Sequence, residues 1–174
     1  MSESVDHSRR GFLTRMRKPV DSISQQKATP RMAARPPHAV DEALYSRLCD
    51  GCKKCQSACP NGVIELSNNL AQLNLDYNEC SLCGECVKAC PTNALHTSAP
   101  LDINLRPHFS QICNNYLQIQ CQQCAGACPK SAITIQEDEL PILNNELCNG
   151  CGQCRSSCYI GAITMGLYNQ YKAS

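Results

Sequence analysis

Two short stretches of the chain alternate apolar and polar residues on either side of a polar turn. In the first stretch, Ile64 and Leu66 precede the polar segment 67–69, and Leu73 and Leu75 follow it. A period of two is typical of a strand with one buried face. Two such strands around a polar turn predict a β-hairpin.

The same pattern returns nearer the C-terminus. Ile133 and Ile135 precede an acidic turn at 137–139, and Ile142 and Leu143 follow it. This stretch predicts a second hairpin. Short strands separated by loops indicate a small, loop-rich α+β fold.

Each predicted hairpin lies between two groups of cysteines. The sixteen cysteines of the chain form four groups of four. Three groups have the spacing C-x2-C-x2-C-x3-C, which is the run that binds [4Fe-4S] clusters in bacterial ferredoxins. The remaining group is stretched, with seven residues instead of two between its first two cysteines. In chain order the groups are Cys49, Cys52, Cys55 and Cys59; Cys80, Cys83, Cys86 and Cys90; Cys113, Cys121, Cys124 and Cys128; and Cys148, Cys151, Cys154 and Cys158.

Two other uses of so many cysteines fit this spacing less well. High cysteine content in a short chain usually indicates a secreted disulfide scaffold, but a disulfide framework has no need of a repeated two-two-three interval. Pairs of the form C-x2-C also bind zinc, but a third cysteine at the same interval has no place in a site built from two separated pairs. The spacing therefore favours iron-sulfur clusters.

Each cysteine group belongs to an internal repeat, in which a cysteine loop and a short helical turn lead into an aliphatic pair that begins a strand. The hairpins join the repeats in pairs, and the segment between the pairs holds two prolines and a weaker pattern. We therefore predict two tandem bacterial-type 2[4Fe-4S] ferredoxin modules, at residues 44–96 and 112–168, joined by a connector at 97–111.

In a bacterial ferredoxin with two clusters, each repeat supplies three cysteines to one cluster, and the fourth cysteine of the repeat binds the other cluster. Applied to both modules, this rule predicts four ligand sets and up to four [4Fe-4S] clusters. The first set is Cys49, Cys52, Cys55 and Cys90, the second is Cys80, Cys83, Cys86 and Cys59, the third is Cys113, Cys121, Cys124 and Cys158, and the fourth is Cys148, Cys151, Cys154 and Cys128.

Two positions depart from the regular pattern. Seven residues separate Cys113 from Cys121, and we interpret them as a loop insertion that keeps Cys113 as a ligand. The alternative is that Cys113 is a buried thiol and that its cluster is labile or contains three irons. Tyr159 follows Cys158 where the other three groups have proline, which leaves the geometry at Cys158 open.

The first forty residues differ from the rest of the chain in charge. Residues 1–40 contain eight Lys or Arg against three Asp or Glu, whereas the remaining residues contain eight against twelve. Because this segment also has low apolar content, four prolines and no strand or helix periodicity, we predict a disordered basic arm. We expect the arm to contact a partner, and the alternative is a solvated tail without one.

The arm contains the sequence SRRGFL at residues 8–13, which resembles a twin-arginine export signal. A working signal needs an apolar segment of about seven or more residues next, but residues 14–19 are TRMRKP. We therefore expect the protein to remain in the cytoplasm, and no stretch is long and apolar enough to span a membrane. Arg9 and Arg10 then become candidates for binding the partner.

Substrate chemistry has little support in the sequence. The histidines are scattered, and none stands in a nucleophile or metal-ligand motif. They are His7, His38, His96 and His108. The chain has no glycine-rich nucleotide loop and no flavin fingerprint. We therefore predict no catalytic residues and an electron carrier rather than an enzyme.

Three features together resemble the ferredoxin-type proteins of the periplasmic nitrate reductase system: the SRRGFL arm, the four cysteine groups, and the stretched third group ending QCQQCAGACP. The resemblance extends from Ser8 to about Met165. It implies a cytoplasmic iron-sulfur protein that contacts the precursor of the nitrate reductase catalytic subunit before export. It also implies a role in the maturation of that subunit, by supplying electrons or by helping to install its iron-sulfur centre.

Two other functions fit the same residues. One is an electron-transfer subunit of a larger oxidoreductase complex, anchored there by the basic arm. The other is a non-redox interaction protein whose clusters only stabilise the fold, since metal binding can itself supply folding free energy. Neither function involves nucleic acid.

Overall fold

The computed structural model of the protein describes residues 29–168. Regular structure within these residues is sparse. The helices are α1 (Glu42–Leu48), α2 (Lys54–Ser57), α3 (Glu85–Ala89), α4 (Gln123–Gly126) and α5 (Gln153–Ser156). The strands are β1 (Ile64–Ser67), β2 (Leu70–Leu73), β3 (Leu105–Phe109), β4 (Ile133–Thr134), β5 (Ile142–Leu143) and β6 (Ile163–Leu167). They form three two-stranded antiparallel sheets, which pair β1 with β2, β3 with β6, and β4 with β5.

The first predicted hairpin is confirmed in β1 and β2. Ile64 lies opposite Leu73, and both side chains are buried. The two residues between the strands, Asn68 and Asn69, have φ angles of 49° and 61°. Left-handed residues at both central positions match the twist of a two-residue hairpin, and asparagine adopts this conformation more readily than most residues.

The second predicted hairpin is also present, but it is shorter. In β4 and β5 only two residue pairs face each other, Ile133 with Leu143 and Thr134 with Ile142. Ile135 lies outside the strands and the segment that follows it forms the turn. The pairing still carries the chain from the third cysteine group back toward the fourth.

A further strand pairing closes each half of the molecule, and it begins before the first cysteine group of that half. In the first half, Ala39 forms an isolated antiparallel bridge with Leu95. In the second half, β3 pairs along its length with β6. Both halves therefore begin earlier than the boundaries at residues 44 and 112 that the sequence suggests, and part of the predicted connector is a strand.

The end of the predicted arm is packed rather than disordered. Ala39 is 2% exposed, Pro36 and Pro37 are fully buried, and the N–H of Leu73 donates to the carbonyl of Ala34 at 2.8 Å. The charge pattern is misleading here because Arg35, which looks solvated in the sequence, is buried in an ion pair. The rest of the arm, including Arg9 and Arg10, lies outside the described residues.

That ion pair joins Arg35 to Glu42 at the start of α1. The Nη2–Oε1 distance is 2.6 Å, and the side chains are only 6% and 4% exposed. Arg31 adds a second contact to Glu42 at 3.3 Å, and Arg35 also donates to the carbonyl of Ala71 at 3.1 Å. Two arginines of the basic segment thus fasten it to the first half of the fold.

Cysteines and apolar side chains share the same small cores. The larger core surrounds Tyr45 and Ile103, each 1% exposed, and contains Cys55, Cys80 and Cys86. The smaller core is formed by Cys124, Ile133, Cys154 and Ile163. Any group that these cysteines bind is therefore part of the interior of the protein.

The predicted connector also joins the two halves. Ile103 packs in the larger core, and its N–H donates to the carbonyl of Asn149 in the fourth cysteine group at 3.0 Å. The N–H of Tyr168 donates to the carbonyl of Asn104 at 2.9 Å, and the Tyr168 ring lies 4.5 Å from the Arg106 guanidinium carbon. The connector is thus built into the fold and holds one half against the other.

Candidate iron-sulfur sites

Three small cavities are each lined by four cysteines. Their free volumes, including the part open to solvent, are similar at about 330, 380 and 310 Å³. Each cavity takes three cysteines from one group and the last cysteine of the neighbouring group. In the same order, the lining cysteines are Cys49, Cys52, Cys55 and Cys90; Cys113, Cys121, Cys124 and Cys158; and Cys128, Cys148, Cys151 and Cys154. The structure thus brings together the first, third and fourth sets that the ferredoxin rule predicts.

The cysteines of the second set are close enough to influence one another electrostatically. Burial is the main cause that raises the pKa of Cys80 to about 11, and Cys59 and Cys83 raise it further. Burial likewise raises the pKa of Cys86 to about 12, and the nearby Cys80 and Cys59 raise it further. Cys59 also packs against the core that contains Cys80 and Cys86, a position that is compatible with the predicted second set.

The donor set and the shape of these sites fit a cubane. A [4Fe-4S] cluster takes one thiolate at each of four iron corners, so its four cysteines surround a space rather than a point. All sixteen cysteines lie within the described residues and none forms a disulfide. Over residues 29–168, no group of three or more His, Cys, Asp or Glu side chains is placed to hold a single metal ion.

Left-handed residues shape the three regular cysteine loops. In each loop, the residue before the middle cysteine and the residue after it both have positive φ, and these are Gly51 and Lys53, Leu82 and Gly84, and Gly150 and Gly152. Two such residues reverse the chain twice within a few positions, which turns all three sulfurs to one side of the loop. Glycine adopts this conformation at little cost, whereas a residue with a Cβ is disfavoured by roughly 1 kcal/mol.

The stretched loop reaches its cavity by a different route. Gln122, which follows the middle cysteine, has φ of −128°, so the left-handed turn of the other loops is absent there. Instead, the inserted segment folds back on itself, and the N–H of Leu117 donates to the carbonyl of Cys113 at 3.0 Å. Cys113 lines the same cavity as Cys121 and Cys124. This position favours a ligand over an isolated buried thiol.

The fourth cysteine of each group ends a helical turn in the same way. Its N–H donates to the carbonyl three residues earlier at 3.1–3.2 Å in all four groups, at Cys59, Cys90, Cys128 and Cys158. Three residues later a left-handed residue follows each time, at Gly62, Asn93, Ser131 and Gly161. Tyr159 does not disturb this turn, since the N–H of Gly161 donates to the carbonyl of Cys158 at 3.0 Å.

Burial keeps several of the thiols protonated while no metal is bound. It is the main cause that raises the pKa of Cys55 and Cys124 to about 11 and of Cys154 to about 12. Cys90 differs: burial raises its pKa, but the N–H groups of Leu95, Thr92 and Ala94 and the Thr92 hydroxyl outweigh burial and lower it. Cluster binding must therefore displace protons from most of these sulfurs.

Backbone N–H groups point at the sulfurs. The N–H of Ala132 donates to Sγ of Cys128 at 3.3 Å. Similar backbone donors lower the pKa of Cys55, Cys80 and Cys124 in opposition to burial. Hydrogen bonds to cysteine sulfur are one of the means by which a protein tunes the potential of an iron-sulfur cluster.

The four sets are linked in an order that differs from their order in the chain. Cys55 of the first set and Cys86 of the second lie in the same core. Cys124 of the third set and Cys154 of the fourth share the smaller core. Between the halves, the N–H of Cys80 donates to the carbonyl of Cys151 at 2.9 Å, which joins the second set to the fourth. The resulting series runs first, second, fourth, third.

Sequence reasoning missed Tyr45, which lines the first cavity. Burial is the main cause that raises the pKa of its hydroxyl, and Cys49 raises it further. The hydroxyl donates to the carbonyl of Ala71 at 2.8 Å, and the Arg35 guanidinium carbon lies 4.9 Å from the ring centre. A helical interpretation of residues 42–48 would have placed Tyr45 one turn before Cys49 and revealed it.

Two family models match the chain. A 4Fe-4S dicluster domain matches residues 48–94, and a 4Fe-4S binding domain matches residues 141–164. The first match spans the first and second cysteine groups, and the second spans the last group. Together with the sixteen cysteines, these matches show that the chain carries [4Fe-4S] clusters.

Relatives at moderate identity cover most of the chain. An uncharacterized protein of Haemophilus influenzae is 45% identical over 127 residues, which are 73% of this chain and 74% of the relative. The ferredoxin-type protein NapF of Escherichia coli is 34% identical over 131 residues, which are 74% of this chain and 73% of NapF. The chain belongs to the ferredoxin-type family of [4Fe-4S] proteins. Membership of this family points to an electron carrier rather than to a catalytic enzyme.

The helices of residues 29–168 are short. None of them is both long and apolar enough to cross a membrane.

Proposed function

We propose that this protein is a four-cluster electron carrier that serves the maturation of a periplasmic nitrate reductase. In this proposal it acts in the cytoplasm and binds the precursor of the catalytic subunit before that subunit is exported. The unbroken series of cysteine sets is the structural observation that carries the electron-transfer part. The 34% identity to NapF over most of the chain supports the link to nitrate reductase.

The ligands in this proposal are the four crossover sets. Each half of the molecule is a module with two of them, residues of the first half holding the first and second clusters and residues of the second half holding the third and fourth. A bound [4Fe-4S] cluster supplies one-electron redox chemistry. The chain contributes the thiolates, the buried surroundings and the N–H donors that set the potential.

The contacts between sets support transport along the molecule. Within the halves, the helices that carry a cysteine of each set are in contact, α2 with α3 and α4 with α5. The Cys80 to Cys151 hydrogen bond spans the boundary between the modules. A protein whose clusters only stabilised the fold would have no need of contacts that join all four sites. The first and third sets form the two ends of the series.

Anaerobic redox titration monitored by electron paramagnetic resonance tests the electron-carrier part. We expect paramagnetic signals to appear on reduction and to disappear on reoxidation. Clusters that never change state between oxidised and reduced samples would contradict the proposal and would favour a purely structural role.

Affinity purification from cytosol tests the maturation part. We expect the tagged protein to recover the nitrate reductase catalytic subunit in its unprocessed form. Recovery of a stable complex of other redox subunits would favour the alternative of an electron-transfer subunit in a larger oxidoreductase. The unprocessed subunit is identified by mass spectrometry of its N-terminal peptides.

A further inference from the structure

An exposed apolar surface lies beside the third cysteine set. Its five side chains are between 40% and 73% exposed, and we call them the apolar rim: Ile112, Tyr116, Leu117, Ile119 and Tyr159. Tyr159 lines the cavity of the third set, as does Asn114 of the inserted loop. The Asn114 side chain also donates to the Tyr159 hydroxyl, so the loop and Tyr159 form one surface at the cavity.

The inserted loop has a defined conformation, and it carries three of these side chains, Tyr116, Leu117 and Ile119. Asn115 is 5% exposed, and its side-chain amide donates to the carbonyls of Gln136 and Glu139 at 2.6 and 2.8 Å. Within the loop, the N–H of Ile119 donates to the carbonyl of Asn114 at 2.8 Å. The apolar residues are therefore exposed by a folded loop that is tied to the β4–β5 turn.

The segment that carries most of the rim has no charged side chain. Between Arg106 and Lys130 the sequence has no Asp, Glu, Lys or Arg, although charged residues make up 18% of the chain. The polar residues of this segment are mainly Gln and Asn. Several exposed apolar side chains on one short uncharged segment are typical of a protein-interaction site.

The rim also lies at one end of the series of cysteine sets. The third set shares the smaller core with the fourth, through Cys124 and Cys154, and among the described residues no further set lies beyond it. A protein that docks on the rim would therefore reach the terminal set of the series.

We infer that the apolar rim is the surface on which the partner protein docks, and that the partner presents an uncharged, apolar face to it. The inference rests on the proposed function, in which the partner is the precursor of the nitrate reductase catalytic subunit. A charged partner surface is disfavoured, because its ions would lose hydration against a segment that offers no opposite charge.

Binding of the purified holoprotein to the purified precursor, measured anaerobically, tests this inference. The variant Leu117→Gln/Ile119→Gln makes the rim polar, and Tyr116→Gln does so at a third residue, which does not line the cavity of the third set. We expect at least about tenfold weaker binding for the double variant, since buried apolar residues at the centre of an interface carry much of its affinity. The absorbance of the clusters should be unchanged in both variants.

The matched control is Met32→Gln/Leu44→Gln, which alters two apolar side chains that are 78% and 45% exposed on the first half. We expect this control to bind like wild type. We also expect the rim-dependent part of the affinity to change little between low and high salt, because no ion pairs contribute to it.

The outcomes separate the inference from the proposed function. If wild type binds the precursor and the rim variants bind equally well, the inference is wrong and the proposed function stands. If wild type does not bind the precursor, the proposed function fails and the inference falls with it. A wild-type dimer in sedimentation that the rim variants dissociate would overturn the inference in favour of a second copy of this chain.

Discussion

The backbone N–H of Cys80 donates a 2.9 Å hydrogen bond to the carbonyl of Cys151, across the boundary between the two halves of the molecule. Each residue belongs to a different predicted module and a different cysteine set. This contact makes a continuous series from two pairs of sites, because it places the second set beside the fourth.

The fourth cysteine loop should tolerate no side chain at Gly150. Gly150 has φ of +77°, and a Cβ there would lie 2.7 Å from the carbonyl oxygen of Leu105 in β3. Backbone of a paired strand cannot easily move away, so Gly150→Ala should lower the thermal midpoint of the holoprotein and its iron content. Anaerobic calorimetry and iron analysis measure both quantities.

Gly84→Ala is the matched control for this substitution. Gly84 has φ of +79°, but a Cβ there would meet nothing within 4 Å. The change should therefore cost only the left-handed penalty of about 1 kcal/mol and leave the iron content unchanged. Equal effects of the two substitutions would show that contact with β3 is unimportant.

Loss of the buried arginine in the packed segment should destabilise the first half. Arg35→Ala removes the 2.6 Å ion pair and leaves Glu42, which is 4% exposed, with only the longer 3.3 Å contact to Arg31. Breaking a buried pair in this way typically costs about 3 kcal/mol or more. The measurement is the thermal midpoint of the holoprotein under anaerobic conditions.

Lys88→Ala provides the comparison for Arg35→Ala. Lys88 pairs with Glu85 at 2.7 Å, but the two side chains are 72% and 47% exposed. Surface pairs of this kind contribute little because water and salt screen them. We expect no measurable change, and a loss as large as that of Arg35→Ala would contradict the distinction between the two pairs.

Two deletions should separate the packed segment from the rest of the predicted arm. Removal of residues 1–28 should leave the iron content unchanged, because this deletion retains the ion pair of Arg35 with Glu42 and the bridge between Ala39 and Leu95. Removal of residues 1–40 should lower it, since this deletion also removes Arg35 and the bridge between Ala39 and Leu95.

Iron content after anaerobic purification distinguishes these two deletions. Equal iron in both would show that the packed segment is dispensable for cluster binding. In parallel, binding of the nitrate reductase precursor to the shorter deletion tests whether Arg9 and Arg10 contribute to partner capture.

Substitution of Cys113 should remove the third cluster or make it labile. If Cys113 is a ligand, Cys113→Ser should lower the iron content by up to about four atoms per chain, one cubane. Cys83→Ser, in a regular loop, is the control that shows how much iron the chain loses when a cluster ligand is replaced. Iron equal to wild type in Cys113→Ser, together with a clear loss in Cys83→Ser, would show that Cys113 is not a ligand.

The local parts of this fold could be predicted from the sequence. Cysteine spacing predicts which residues surround a common cavity, and the alternation around residues 67–69 and 137–139 predicts both hairpins. These features depend on residues close together in the chain or on a repeated pattern. Despite Tyr159, the turn after Cys158 resembles that of the other three groups, with a left-handed residue three positions later at Gly161.

The rest depends on contacts between distant segments. The sequence around Arg31 and Arg35 would look the same in a solvated arm. It does not show that both arginines pair with Glu42 and that the segment packs against the fold. The sequence pattern does not predict strand β3 within a connector that has two prolines, because its partner β6 lies far along the chain. The series of sets depends on Cys80 meeting Cys151, which no local pattern encodes.

The most direct test of the whole account is the amount of iron and acid-labile sulfide per chain in protein purified without oxygen. Four filled sets predict about sixteen iron atoms and about sixteen sulfides per chain, with a brown colour from the clusters. Colourless protein, or protein that contains zinc in place of iron, would contradict the account.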